Sequence, residues 1–401
     1  MYETPQHLSD EAQLVASVLS RRTLLRGAVA GGLATALAAC GTEGSQQAAG
    51  ECKSTDLSDK EKQLNFSNWP LYIDVAENDE NKHPTLDAFT KETGISVKYT
   101  EDINDNNEFF GKVRNQLAEC QSTGRDIIVL TDWMAARLIR LGWVQKLNLA
   151  ALPNVKANLL PSLQNVEWDP QRKHSVPWQS GLTGIAYNAK ATKEVRTFDE
   201  LCTRSDLKGR VTMLSEMRDT TALALLSDGK KPNNFTSADF DAAIDKIRKA
   251  ADSGQVRRFT GNDYAQDLAK GDISAAVAWS GDVLQLQLKD PNIKFVVPEE
   301  GIYLWSDNMQ VPNKATHKAN AEKLMNYYYQ PEVAAELAAY VNYICPVDGA
   351  QQEMEKIDPE LAQNALIFPD QQTLRRSYPY KSLSAKQEKD YETKFQDVIG
   401  A

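Results

Sequence analysis

Trp69, Trp133, Trp279 and Trp305 are four of the seven tryptophans in the chain, and each lies within a few residues of a group that can hold charge or accept hydrogen bonds. They fall in the runs Asn68-Trp69-Pro70-Leu71-Tyr72, Thr131-Asp132-Trp133, Trp279-Ser280-Gly281-Asp282 and Trp305-Ser306-Asp307. A fifth run, Ser215-Glu216-Met217-Arg218-Asp219, adds two carboxylates. Tryptophan faces attract ammonium groups at about 0.5–2 kcal/mol each and also stack on methylenes. Carboxylates pair with the cationic ends, which must be matched because a cleft desolvates them. The chemistry these residues suit is capture of a cationic, partly apolar ligand. A sugar also stacks on tryptophan, but it prefers neutral polar groups. Any one tryptophan can fill a core, and Asp219 or Asp282 taken alone can cap a helix. The coincidence in five runs is what points to a ligand.

The surrounding pattern places these runs at the ends of strands. Leu64 to Ser67 reads as a strand, and Pro84 to Thr93 as a helix with Pro in its first turn and Gly94 past its end. Ile95 to Tyr99 alternates apolar and polar, as a half-exposed strand does. A helix carrying Phe109, Phe110, Val113 and Leu117 follows. Ile127 to Leu130 is uninterrupted apolar, as a strand covered on both faces must be, and a helix ended by Gly142 comes next. The same grammar restarts with strands at 182–187, 211–214, 273–279 and 294–297, and helices at 219–227, 237–251, 263–270 and 282–289. Two helices broken at Pro331 and a last one near 386–398 complete it. The fold class is α/β, with two doubly wound lobes. Ligands of such sheets bind beyond the carboxyl ends of the strands, where the five runs stand.

Composition narrows the function. The chain has 401 residues, 42% of them apolar and 25% charged, enough for two cores and too polar for a membrane bundle. A net charge of −10 argues against binding nucleic acid, which needs a cationic face. The four histidines, His7, His83, His174 and His317, show no metal-ligand spacing, and there is no Cys-x-x-Cys. No Gly-x-Ser-x-Gly elbow, phosphate loop or dinucleotide fingerprint occurs. An enzyme here would have to hide all its local signatures, so the expectation is a binding protein with no metal and no cofactor.

The first residues read as an address. Arg21-Arg22 precedes the Gly- and Ala-rich stretch Gly27 to Ala39, which is too short to span a bilayer and suits a twin-arginine export signal. Leu37-Ala38-Ala39-Cys40 looks like a bacterial lipobox, which would make Cys40 the lipidated first residue of the exported chain. Residues 1–39 are then the signal and 40–63, polar and without aromatics beyond Cys40, a flexible tether to the membrane. Outside the cytoplasm disulfides persist. Cys52, Cys120, Cys202 and Cys345 allow three connectivities. Cys52–Cys120 is favoured, because the tether end and the end of the helix carrying Cys120 both fall at the base of the first lobe. Buried thiols are the alternative.

From about Leu64 onward the chain resembles the spermidine/putrescine-binding proteins, the extracellular receptors of polyamine ABC importers. The resemblance rests on Asn68-Trp69-x-x-Tyr72, Glu216-x-Arg218-Asp219, Trp279, Trp305-x-Asp307 and Tyr343 in Val341-Asn-Tyr-Ile. It implies a type II periplasmic-binding-protein-like fold, two lobes joined by a hinge that closes on the ligand. It also implies crossovers near Gly181 and Trp305, so that residues 64–180 and 305–345 form the first lobe and 181–304 and 346–401 the second. Trp69, Tyr72, Trp279, Trp305 and Tyr343 would box the methylene chain, while Glu216, Asp219 and Asp307 receive the amines. Thr131 and Trp133 stand where the family has a small hydroxyl residue and an aromatic. The partners implied are a polyamine and the importer's permease subunits, with the receptor a lipid-anchored monomer. The sequence departs from the family at Pro70 and Leu71, which replace a Thr and a Glu, and at Pro379, which replaces a Gln beside Tyr378 and Tyr380. These losses remove partners for a third amine, so putrescine stands level with spermidine. Another solute, such as an oligosaccharide, an amino acid or a zwitterion, is the alternative.

Overall fold

The structure, a computed structural model, describes residues 52–400. The export signal and Cys40 lie outside the described residues.

Ten strands, β1 (Gln63–Asn68), β2 (Ser96–Glu101), β3 (Ile127–Thr131), β4 (Val176–Asn188), β5 (Val211–Leu214), β6 (Val256–Thr260), β7 (Ala275–Trp279), β8 (Ile293–Val296), β9 (Ile302–Gln310) and β10 (Ser377–Tyr378), pair in one curled sheet. Its order is β2-β1-β3-β9-β4-β7-β5-β6, with β8 on β4 and β10 on β9. β1, β2 and β3 are parallel, as are β5, β6 and β7, and helices cross between them. These are the two doubly wound lobes. β4 and β9 run antiparallel to each other through the middle, so that Gly181 and Trp305, the two expected crossover positions, are register partners.

Local sequence explains most of the elements. The helix Pro84–Thr93 begins on Pro84 and stops because Gly94 takes φ +71° and returns its N–H to the Thr90 carbonyl. The helix Ser237–Asp252 starts on a capping box between Thr236 and Asp239. β3 is buried along its whole length, which is why it carries no polar residue before Thr131. Phe89, Phe109 and Leu138, from the helices on either side of it, are fully buried.

Four differences from the sequence reading follow from packing. β9 does not end at Trp305-Ser306-Asp307 but continues to Gln310, because its second half pairs with β3. β4 begins at Val176, six residues early, and absorbs Pro177 through a register shift before Ser180. The segment from Cys52 to Lys62, expected as tether, is fastened to the body. Cys52 is disulfide-bonded to Cys120, Leu57 N–H donates to the Thr316 carbonyl (2.7 Å), and Ser58 is buried, with its hydroxyl accepting from Asn320 N–H (3.1 Å). Residues 346–362, expected in the second lobe, pack on the first, where Leu160 N–H donates to the Pro346 carbonyl (3.0 Å) and Leu159 bridges Val347. The final helix, Ala385–Ile399, serves both lobes: Glu388 pairs with Arg140 (2.7 Å) from one and Arg218 (3.1 Å) from the other.

Candidate ligand-binding cleft

Between the lobes lies a narrow cleft with about 370 Å³ of space between atoms, part of it open to solvent. Nine of the ten residues singled out in the sequence line it: Trp69, Tyr72, Thr131, Glu216, Asp219, Trp279, Trp305, Asp307 and Tyr343.

Each is fixed by its element. Past β1 the backbone turns through Leu71 at φ +59°, bringing Trp69 and Tyr72 to the same wall. Trp69 is anchored by its indole N–H on the Val129 carbonyl (3.0 Å). Its ring meets Trp279 edge-on at 6.0 Å, Trp279 meets Trp305 at 6.4 Å, and Tyr343 lies 5.7 Å from Trp305 and 4.8 Å from Tyr72. Such edge-to-face contacts lock the rings and leave faces for a ligand. Two glycines permit this. A Cβ on Gly181 would overlap the Trp305 ring, and one on Gly281 would overlap Tyr343.

The carboxylates are held with equal care. Asp307 and Thr131 are register partners in β9 and β3. Asp219, in the first turn of the helix Met217–Ser227, accepts from the Thr183 hydroxyl (2.5 Å) and the Trp279 indole (2.8 Å), while the Trp305 indole donates to Thr183 (2.9 Å). Glu216 accepts at Oε1 from the backbone N–H (2.7 Å) and side-chain amide (2.8 Å) of Asn106, which reaches over from the other lobe. Asp282 faces inward at second rank, accepting from Tyr343 (2.6 Å), Tyr264 (2.8 Å) and the Asn262 amide (3.0 Å). It orients the wall and caps no helix.

Burial dominates the electrostatics. Loss of water pushes Asp307 up to about 7, with the Thr131 and Tyr72 hydroxyls pulling it back and Asp132 and Asp219 pushing it further. Desolvation likewise lifts Asp219 and Asp282 to about 6, against the hydrogen bonds they accept. It also drives Glu216 well above the carboxylate range, helped by the charges of Asp105 and Asp219. Four buried polar atoms lining the cleft have no hydrogen-bond partner: the acceptors Glu216 Oε2, Asp307 Oδ1 and Asn262 Oδ1, and the Tyr72 hydroxyl. Among the described residues, no Lys, Arg or His lines it. The cleft gathers three carboxylates, Glu216, Asp219 and Asp307, with no basic side chain among the described residues to balance them.

Trp133 is a correction. It does not line the cleft, because the helix Asp132–Leu141 starts immediately after Thr131 and carries it to the far side. There Arg218 lies 3.9 Å and Arg137 4.9 Å from its ring. Two lining residues went unread in the sequence. Asn106 begins the helix that Asp105 caps, and Asn262 follows β6, an edge strand whose Arg257 and Arg258 hide its apolar face. Reading 256–260 as a strand would have put Asn262 at a strand end like the others.

A two-lobed α/β fold with an aromatic-walled, acidic cleft between its lobes defines a solute receptor. The family model described as bacterial extracellular solute-binding protein matches residues 85–369, and the chain belongs to that family. It is a family of transport proteins that bind solutes outside the cytoplasm. The chain is 26% identical over 320 residues to the spermidine/putrescine-binding periplasmic protein of Escherichia coli, covering 79% of this chain and 86% of that one. It is 30% identical over 334 residues to the putrescine-binding periplasmic protein PotF of the same organism, covering 78% and 85%. The spermidine/putrescine ABC transporter substrate-binding protein PotD of Streptococcus pneumoniae superposes with a TM-score of 0.66 at 25% identity, covering 84% of this chain and 98% of that one.

Proposed function

We propose that the protein captures a polyamine in the interlobe cleft and hands it to the permease subunits of an ABC importer, catalysing nothing itself. The observation that carries this reading is the set of buried acceptors without donors, Glu216 Oε2, Asp307 Oδ1 and Asn262 Oδ1, inside a ring of tryptophans and tyrosines. An ammonium is donor-only, with three N–H groups, and its charge offsets the cost of keeping these carboxylates ionised. The rings suit the methylenes between two such ends. A zwitterion would bring a carboxylate into a cleft with no cation to receive it. A sugar would need no acidic pair.

The shorter diamine fits better. Pro70 lines the cleft and offers no side-chain donor or acceptor, and none of residues 378–380 lines it. Tyr380 packs instead on Phe235 and Tyr303. Partners for a third amine are therefore missing, which favours putrescine over spermidine. The hinge passes through the paired strands at Gly181 and Trp305. Export through the twin-arginine signal and a lipid on Cys40 would hold the receptor, as a monomer, at the outer face of the membrane.

Isothermal titration against putrescine, spermidine, γ-aminobutyrate and maltose tests the reading. Binding of the amines, with putrescine tighter, is the expected result. Binding of maltose or γ-aminobutyrate and neither amine would refute it.

A further inference from the structure

Asn262 is more than nine-tenths buried, lines the cleft, and leaves its side-chain carbonyl without a partner. Its amide orientation is not free. Nδ2 donates to Asp282 Oδ2 at 3.0 Å, and Asp282 also receives the hydroxyls of Tyr264 and Tyr343. An ionised carboxylate only accepts, so the NH2 of Asn262 must face Asp282 and the carbonyl must face the other way. Tyr264 is itself held, accepting from the Trp279 backbone N–H at 2.9 Å. The lock on Asn262 is thus built into the same scaffold as the tryptophan wall.

The position of Asn262 relative to Glu216 is set by the sheet. β5 and β6 are adjacent and parallel, with Leu214 opposite Thr260, and Ser215 N–H donates to the Thr260 carbonyl at 2.8 Å. Glu216 and Asn262 each stand two residues beyond that matched pair. Neighbouring strands lie about 4.8 Å apart, so two side chains leaving equivalent strand ends reach one small region of the cleft. Each brings one orphaned acceptor there, Glu216 Oε2 and Asn262 Oδ1. A buried acceptor without a donor is costly, and the pair is satisfied together by a single group that donates at least twice.

We infer that Asn262 is a ligand-contacting, specificity-determining residue whose carbonyl shares one ammonium with Glu216, forming the second-lobe end of the site. The assignment rests on the reading of the cleft as an amine site. It gives the ammonium one charged and one neutral acceptor at this end, so that the end selects for N–H count as well as for charge. Asp307, from β9, serves the opposite amine.

The test is calorimetric titration of putrescine into the wild-type protein, Asn262→Leu and Asn262→Ser, with the melting temperature of each ligand-free protein recorded alongside. Leucine matches asparagine in size without the acceptor, and serine is too short to carry one into the cleft. N262L is expected to weaken binding tenfold or more, the loss of a hydrogen bond from a charged donor. Should N262L not fold, N262S carries the test with the same criterion. Wild-type and variant affinities within twofold of each other would overturn the assignment while leaving the amine site standing. A wild-type protein that binds no amine would overturn the functional reading and the assignment together.

Discussion

Asn106 and Glu216 meet across the cleft from opposite lobes, the backbone N–H and side-chain amide of the first donating to one oxygen of the second at 2.7 and 2.8 Å. Nearby, Ser215 donates to Asp105 at 2.8 Å and Asn262 N–H donates to Asn104 at 3.3 Å, so residues 104–106 form one edge of the closed mouth. The other oxygen of Glu216 is buried and free. Glu216 therefore faces Asn106 of the opposite lobe with one oxygen and leaves the other unpaired in the cleft. Burial and the charges of Asp105 and Asp219 favour the protonated form of Glu216 in the empty cleft, and a cation beside it would favour the ionised form.

Asn106→Ala tests this coupling. It removes the side-chain donor to Glu216 but keeps the backbone one, and it also removes the two hydrogen bonds that the side chain makes within its own lobe, to the Thr131 hydroxyl (2.9 Å) and from the Thr131 N–H (3.2 Å). The ligand-free protein should lose some melting temperature through the Thr131 contacts, and ligand affinity should fall about tenfold, or about 1.4 kcal/mol, in addition. An equal loss of stability with and without ligand would make Asn106 an ordinary structural residue.

The raised carboxyls predict an unusual pH response. Asp307 at about 7 and Asp219 at about 6 hold protons more tightly in the folded protein than in the unfolded chain, where aspartate titrates near 3.9. The folded state then binds more protons between about pH 4 and 7, so stability falls as pH rises through that window. A saturating diamine stays charged there and replaces the protons. The melting temperature of the ligand-free protein should decline from pH 5 to 7.5, and the increment given by ligand should grow over the same range. A constant increment would contradict the carboxylate assignment.

How much of this was legible in the sequence depended on whether a signal was local. Gly94 after a helix opening on Pro84, the unbroken run Ile127–Leu130 and the box of Thr236 with Asp239 are local, and the elements they predict are there. The aromatic wall was legible because tryptophan recurs at strand ends close to groups that hold charge or accept hydrogen bonds. Trp133 obeyed the same rule and still faces away, since one helical turn beyond Thr131 decides its direction. Asn262 was hidden because β6 is an edge strand with two arginines. The path of residues 346–362 was hidden because bridges to Leu159 and Leu160 join segments almost 190 residues apart.

Gly281→Ala probes the wall without touching a polar group. Its methyl would overlap the Tyr343 ring, pushing it toward Tyr72 and the cleft. Overpacking of this kind costs about 1–3 kcal/mol. The expected result is a protein that folds with a lowered melting temperature and binds ligand at least tenfold more weakly by titration. Unchanged affinity would show that Tyr343 does not shape the site.

The bond between Cys52 and Cys120 fastens the N-terminal segment to the end of the helix Asn106–Ala118. Replacing Cys120 by serine should lower the free energy of unfolding by about 2–4 kcal/mol in denaturant titrations. Ligand affinity should stay within twofold, because neither cysteine lines the cleft. The remaining thiols among the described residues, Cys202 and Cys345, are pushed up to about 12 by burial and should not react with thiol reagents in the folded protein.

Asp307 carries the central claim, since it is buried, paired in register with Thr131, and offers an oxygen that receives no hydrogen bond. The most direct measurement is calorimetric titration of putrescine into wild-type protein and Asp307→Asn at pH 8, where the carboxylate is ionised. The account predicts binding to the wild type and a loss of more than tenfold, or about 1.4 kcal/mol, in the variant. Equal affinity in the two proteins would remove Asp307 from the site and contradict the reading of the cleft as a receptor for amines.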